Sequence, residues 1–301
     1  MDIFTHSVAI LVILYASGNP VLIPFGVLGA VIIDIDMAFF FIPRRNPSLY
    51  LLYHAGFSHS FFGATVLSAI AFGTTIAIAS AGWLPGTMPD GILIPAFACV
   101  LAGAYLHLSL DWLAAPGLPL LYPLTEKRFG LAMFPMPVYL LITVLGLVSA
   151  AFILVKGMTP GFVVLYGTLF TGLIVSGAGM KRVVDKKTRG RSYSALSGFE
   201  WIVIRDENPS WTVMVYDLFR GPVREMRFER YQDVSPKEIH MYDDLPELRR
   251  HRYFSYISVA ERKGSDILFH DPIREQGLIT YPPWYPSVTV SAQGLQDNSA
   301  P

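Results

Sequence analysis

The chain has 301 residues, of which 52% are apolar and 15% charged, with 23 basic and 23 acidic side chains. A mean hydropathy of +0.44 and a charged fraction far under the soluble norm of about 25% exclude an ordinary water-soluble globule. No strongly basic domain is present, so no nucleic-acid partner is expected.

The charges are unevenly placed. Residues 1–180 carry five Lys/Arg and six Asp/Glu; the remaining 121 residues carry eighteen and seventeen. This asymmetry predicts an α-helical polytopic membrane domain over 1–180, with about five to six spans, and a small water-soluble C-terminal domain. The start of the chain lacks the basic stretch and small-residue cleavage site of a signal peptide, so the first apolar run is expected to be retained. The single cysteine, Cys99, lies inside an apolar run and allows no internal disulfide.

In chain order, Val8 to Tyr15 is apolar and is interrupted by Ser17-Gly18-Asn19-Pro20. Val21 to Phe41 resumes the run, broken by Asp34 and Asp36. One helix through all of this would far exceed the ~20 residues a bilayer needs, and Asn-Pro is a turn signal. A helical hairpin with a short first arm is expected, returning Asp34 and Asp36 to the side of His6. A polar loop with Arg44 and Arg45 follows, then His54-Ala-Gly-Phe-Ser-His59-Ser60, then a span over Phe61–Trp83. A turn over Leu84–Gly91 leads to a span over Ile92–Leu110, which ends in His107-Leu-Ser-Leu-Asp111. A Pro/Gly-rich loop with Lys127 and Arg128 precedes spans over Pro137–Val155 and Gly161–Ala178.

With six crossings, the loops bearing Arg44/Arg45 and Lys127/Arg128 and the basic run Met180–Arg191 fall on one side. Only Lys156 falls on the other. The positive-inside rule then places the basic loops and the C-terminal domain in the cytoplasm. His6, Asp34, Asp36, His54, His59, His107 and Asp111 all collect at the same ends of the spans.

Residues 181–198 read as a basic juxtamembrane linker, and the run Met180–Arg191 as a stop-transfer segment that contacts anionic lipid. Residues 199–292 read as a β-rich domain with strands at Glu200–Ile204, Trp211–Tyr216, Val223–Phe228, Tyr253–Val259, Ile267–His270 and Ser287–Ser291. Pro236–Arg252 reads as helical or irregular, and 293–301 as a disordered tail. The aromatic and proline-rich run Tyr281–Pro286 is suited to rest on headgroups or to cap the small domain. His270, Asp271 and Arg274 read as a strand end with a solvated charge pair, in preference to a second site.

His107 and Asp111 are four apart on a helix and share a face, presenting one nitrogen and one oxygen donor together. Asp34 and Asp36 are two apart and diverge by about 200° on an α-helix. They share a site only where the helix ends or distorts; otherwise they serve two ions, or one stands behind a ligand. His54 and His59 suit a turn entering a helix, with Gly56 at the bend. A mixed His/carboxylate set suits Zn²⁺ first, with Mn²⁺ or Fe²⁺ as alternatives, at one or two ions per chain. An Asp34 or Asp36 not used as a ligand is a candidate general base. The expected function is metal-dependent hydrolysis of a lipid or lipid-linked ester or phosphoester. Two rivals are a transporter using the His/Asp cluster and a non-catalytic membrane anchor with structural metal.

Over residues 1–180 the motifs Thr5-His6, Gly29 followed by Ile33-Asp34-Ile35-Asp36, the run 54–60, and His107-x-x-x-Asp111 with Gly117 and Tyr122-Pro123 resemble those of the YdjM-like family. These are inner-membrane proteins predicted to be metal-dependent hydrolases. The resemblance implies a hydrolase with these His and Asp residues as its centre. Ile33 stands where the family pattern has Pro, and Ala55 where it has Arg. Loss of that guanidinium bears on any phosphate or carboxylate it would hold.

Overall fold

The computed structural model describes residues 1–83, 91–114, 116–279 and 287–291, and the backbone of 294–298. The expected turn at Leu84–Gly91, apart from its last residue, and the run Tyr281–Pro286 lie outside the described residues. The chain divides into two compact units, one of residues 1–43 and 51–178, the other of 44–50 and 179–301.

The first unit opens with α1, Ile3–Ala16, whose N-terminus is capped by the Asp2 carboxylate accepting from the Thr5 amide at 2.9 Å. At about 1.5 Å per residue, its 14 residues reach about 21 Å, short of the ~30 Å hydrocarbon layer. The chain reverses at Ser17-Gly18, where Gly18 takes φ +75°, and returns as α2, Ile23–Ile32. The expected hairpin with a short first arm is therefore present. Beyond α2 the chain tightens into a 3-10 segment, Ile33–Phe39, and a short helix α3, Phe41–Arg45. Then come α4 (Phe61–Ser80), α5 (Leu93–Leu113), α6 (Met136–Lys156) and α7 (Pro160–Thr188). Among the described residues, five helical runs are long and apolar enough to cross a membrane, beginning with Pro20–Arg45.

Helices in lipid gain little from hiding apolar surface from one another, so small residues that allow close backbone approach drive their packing. A Cβ at Gly29 in α2 would lie 1.8 Å from the Val100 carbonyl oxygen of α5, and one at Gly103 would lie 2.0 Å from that of Gly26. Gly26 receives Leu14 and Ile10 of α1, and Gly146 of α6 receives Thr5. α1, α2, α5 and α6, the helices that carry or lead to His6, Asp34 and His107, are thus drawn together.

The second unit holds two sheets. The first is an antiparallel meander of β1 (Arg191–Ser194), β2 (Glu200–Glu207), β3 (Ser210–Asp217) and β4 (Gly221–Glu229). Its strands β2 and β3 are buried on both faces. Trp201, Val203, Met214 and Tyr216 pack under Val184 at the end of α7, while Ile202, Ile204, Val213 and Val215 pack with Ile257, Ile273 and Ile279. The second sheet runs β5 (Tyr231–Gln232), β6 (Val259–Lys263), β7 (Asp266–His270), β8 (Ser287–Ser291) and β9 (Gly294–Asn298). Its core joins Ala260, Ile267, Phe269, Val288 and Val290 to Ile239 of α8 (Pro236–His240) and Leu248 of α9 (Pro246–Phe254). A last short helix, α10, covers Pro272–Glu275.

Three boundaries differ from the sequence expectation. No strand covers Tyr253–Val259: α9 continues to Phe254 because Leu248, His251 and Phe254 recur at helical spacing and are all buried, and β6 begins only at Val259. The stretch 181–198, read as linker, contains the end of α7 and strand β1. Val184 and Thr188, four apart, bury one side of that helix end against the sheet. In the tail from 293 onward, the backbone of 294–298 pairs with β8.

Candidate metal centre

The run 54–60 is irregular by necessity. Ala55 adopts φ +63°, a left-handed conformation costly for a residue with a Cβ. A side chain on Gly56 would lie 2.0 Å from the Leu51 carbonyl oxygen. Ser60 ends the turn and caps α4, its hydroxyl accepting from the Gly63 amide at 2.9 Å. His59 and Ser60 are thereby fully buried at the entrance of a span.

Two of the buried imidazoles, His59 and His107, are each anchored by Nδ1. His107 Nδ1 donates to the Ala30 carbonyl at 2.7 Å. His59 Nδ1 lies 2.8 Å from the Ser58 hydroxyl and 3.2 Å from Asp36 Oδ2, and that hydroxyl donates to the same carboxylate. Both Nε2 atoms are left facing one another at 3.4 Å. Asp34 Oδ1 lies 3.4 Å from each of them. Asp111 Oδ2 lies 3.5 Å from His59 Nε2 and 3.4 Å from His107 Nε2.

These separations decide between two kinds of contact. Charge-assisted N–H···O bonds are shorter, about 2.7–2.9 Å. Four donors about 2.05 Å from one tetrahedral ion stand about 3.3 Å from each other. Each triad, Asp34 with the two Nε2 atoms of His59 and His107 and Asp111 with the same two, has separations of the second kind. The donor chemistry matches as well, with two imidazole nitrogens oriented by a carboxylate relay and a backbone carbonyl, the outer support metal-bound histidines ordinarily have.

The other expected residues sit around this group. His6 is 1% exposed, and its ring stacks on that of His107 with centroids 3.8 Å apart. Its Nε2 stands 3.3 Å from Asp111 Oδ1, yet neither ring nitrogen makes a hydrogen bond. A buried imidazole with both nitrogens unsatisfied is costly; a cation beside Asp111 would relieve it. The α-amino group of Met1 already donates to that Asp111 oxygen. On the opposite flank, His54 Nδ1 bonds Asp36 Oδ1 at 2.9 Å and approaches Asp34 Oδ1 at 3.8 Å. Three overlapping groups therefore have donors close enough for an ion: His6, His107 and Asp111; Asp34, His59 and His107; Asp36, His54 and His59.

All seven sequence-derived residues converge. The divergence of Asp34 and Asp36 is resolved by the 3-10 segment in which both lie: Asp34 faces the two Nε2 atoms, and Asp36 stands behind His59 with its oxygens taken by His54, His59 and Ser58. Sequence reasoning missed Ser58 and the Ala30 carbonyl. Adjacency to His59 is the only signal that marks Ser58, and a carbonyl leaves none. His54, at 22% side-chain exposure, is the most open of the seven.

The pair Asp271 and Arg274, expected to be solvated, is buried instead, and the group has a structural explanation. Asp271 is fully buried, caps α10 by accepting from Ile273 at 3.0 Å, and accepts from the Tyr256 amide at 2.7 Å. Burial pushes its carboxyl up to about 6. His270 pairs with Glu275 at 2.7 Å, and Arg274 donates to the Phe254 carbonyl at 2.9 Å.

Fold and site together define a multi-pass membrane protein with a buried His/Asp group able to hold a metal ion. The sequence model of the YdjM inner membrane protein family matches residues 1–183, and the chain belongs to that family. Neither the curated proteins nor the solved structures compared with the chain give a match.

Proposed function

We propose that the protein is a metal-dependent hydrolase of the inner membrane, acting at its cytoplasmic face on a lipid or lipid-linked ester or phosphoester. The observation that carries this reading is the set of 3.4–3.5 Å separations joining His59, His107, Asp34 and Asp111. Asp34, His59 and His107, or His6, His107 and Asp111, would hold a divalent cation, Zn²⁺ best and Mn²⁺ or Fe²⁺ next. Such an ion supplies Lewis acidity and brings water ionisation to about pH 7.

The protein's own part is positioning and proton transfer. Asp36 fixes His54 through Nδ1, leaving Nε2 as a base on the partly open flank. There His54 Nε2 takes a proton from water as its oxygen attacks the phosphorus or carbonyl carbon, and returns it to the leaving oxygen as the ester bond breaks. This transfers to His54 the base role that the sequence suggested for Asp34 or Asp36, whose oxygens face imidazoles. The cytoplasmic placement of the site and the C-terminal unit rests on the basic loops. Ile35, Met37, Phe39 and Phe41 are exposed beside the two aspartates, an apolar approach suited to a substrate that arrives from the bilayer.

The crowding of seven His and Asp side chains into three overlapping groups also favours a second reading, a closed structural site. The test begins with metal content of the detergent-purified chain beside the double variant His107→Ala/Asp111→Ala. The expected result is one or two Zn, Mn or Fe per chain, lost in the variant. Absence of metal after incubation with Zn²⁺ or Mn²⁺ refutes both readings. On the Co²⁺-loaded chain, a change in the visible absorption on adding a phosphomonoester, together with turnover of lipid esters that His54→Ala abolishes while keeping metal, supports hydrolysis. An unresponsive spectrum and no turnover support the structural reading.

A further inference from the structure

We propose that the second unit carries a membrane-inserting tip, formed by the β1–β2 and β3–β4 turns, which seats Leu196, Phe219 and Val223 among lipid headgroups beside the exit of α7. The inference is independent of the metal centre.

The direction of the sheet is fixed by α7 itself. The helix has 29 residues, about 43 Å at 1.5 Å per residue. A hydrocarbon layer of about 30 Å takes up roughly 20 of them, so its last two turns emerge. Along those turns the partners advance along β2. Lys181 lies over the Trp201 ring at 5.6 Å and bonds the Ser192 carbonyl at 2.8 Å. Met180 packs against the cluster that holds Trp201 and Tyr216. Further along the helix, the Thr188 carbonyl accepts from Arg205 Nε at 3.0 Å. The helix and β2 therefore run in the same direction. The end of the sheet beside Met180, where the chain leaves the apolar span, is the end at which β2 begins and β3 finishes. The turns 195–199 and 218–220 are both there.

The composition of this end suits a bilayer surface. Phe219 is 74% exposed, Val223 55% and Leu196 46%. The Phe199 ring holds Phe219 edge-on at 5.3 Å, so the exposed ring is braced. The nearby acids are occupied locally: Asp217 Oδ1 accepts from the Phe219 and Arg220 amides, at 2.9 and 2.7 Å, and Glu200 accepts from Ser197 at 2.5 Å. Among the described residues, Arg220 and Arg224 form no ion pair with them. Arg182 and Lys186 are exposed on the emerging turns of α7. Apolar side chains braced at a tip and flanked by unpaired cations are the pattern of an interfacial anchor on anionic lipid. The opposite end of the sheet, at the β2–β3 turn, offers no such apolar side chains: Asp206, Glu207 and Asn208 are there, with Asp206 paired to Arg230.

The test uses the full chain in nanodiscs containing anionic lipid, in a Cys99→Ala background so that one introduced cysteine takes an environment-sensitive fluorophore. Phe219→Cys places the probe at the tip. Glu207→Cys places it at the far end of β2, about 23 Å away at 3.3 Å per residue. The expected result is blue-shifted emission at 219, with quenching by headgroup-proximal nitroxide lipids about threefold or more stronger than at 207. Adding Arg220→Glu and Arg224→Glu to the 219 probe should reduce that quenching on anionic lipid. Equal emission and equal quenching at 219 and 207 would overturn the proposal. So would quenching at 219 that the two charge reversals leave unchanged on anionic lipid and that persists equally on neutral lipid.

Discussion

Replacing Gly29 by Ala tests whether helix packing holds the metal centre in register. The new Cβ would lie 1.8 Å from the Val100 carbonyl oxygen and 2.7 Å from its carbon. An ordinary contact needs about 3.2 Å or more, so α2 and α5 must part by roughly 1.4 Å. The opposing atoms are backbone, so no side chain can swing away. Ala30, the next residue, accepts the 2.7 Å bond from His107 Nδ1. A parting of that size stretches it to about 4 Å, beyond hydrogen-bond range. His107 then loses the partner that aims its Nε2 at Asp34, Asp111 and His59. Overpacking costs about 1–3 kcal/mol, and loss of a metal ligand's outer support lowers metal affinity about 10–100-fold. Thermal midpoint and Zn²⁺ titration of the purified variant check both effects. Gly172→Ala is the control, because a Cβ there meets nothing within 4 Å. Unchanged affinity in Gly29→Ala, at any stability, would refute the coupling of packing to the site.

Two further outcomes follow from the site and from the second unit. Asp36→Asn keeps the size of the side chain but turns an acceptor pair serving His54, His59 and Ser58 into one acceptor and one donor. Metal affinity should fall about 10–100-fold, and equal titration curves for variant and parent would count against the orienting role. Asp271 has its carboxyl raised by burial from the usual 3.8 to about 6. The folded state therefore holds this proton more tightly than the unfolded state. The contribution is fully present below pH 3.8 and is lost as pH rises through 6, about 3 kcal/mol in all. Asp271→Asn should flatten this part of the pH dependence of unfolding of the second unit, followed by urea titration of the full chain. An unchanged slope between about pH 4 and 6.5 would show that Asp271 does not set it.

Much was legible in the sequence because lipid imposes a narrow code. Long apolar runs must be helices, and polar side chains inside them are costly enough that the few present mark a site. His6, Asp34, Asp36, His54, His59, His107 and Asp111 could be gathered on that ground alone. The short first arm was likewise set by Ser17-Gly18-Asn19-Pro20. The strands β2, β3, β7 and β8 were visible from their β-branched and aromatic content.

What the sequence could not carry was any fact depending on two distant segments at once. The 3-10 winding of Ile33–Phe39 separates the tasks of Asp34 and Asp36, and local pattern does not specify it. The Ala30 carbonyl orients His107 only because Gly29 and Gly103 let α2 and α5 touch. Phe254 ends a helix and not a strand because Leu248 and His251 find buried places on the same face. α7 runs on to Thr188 because Val184 and Thr188 have a sheet to cover. Composition and spacing therefore determined which residues meet and roughly where. Tertiary structure decided which nitrogen faces inward, which carboxylate stands behind it, and which flank stays open, because those depend on distances of a few tenths of an ångström set by packing.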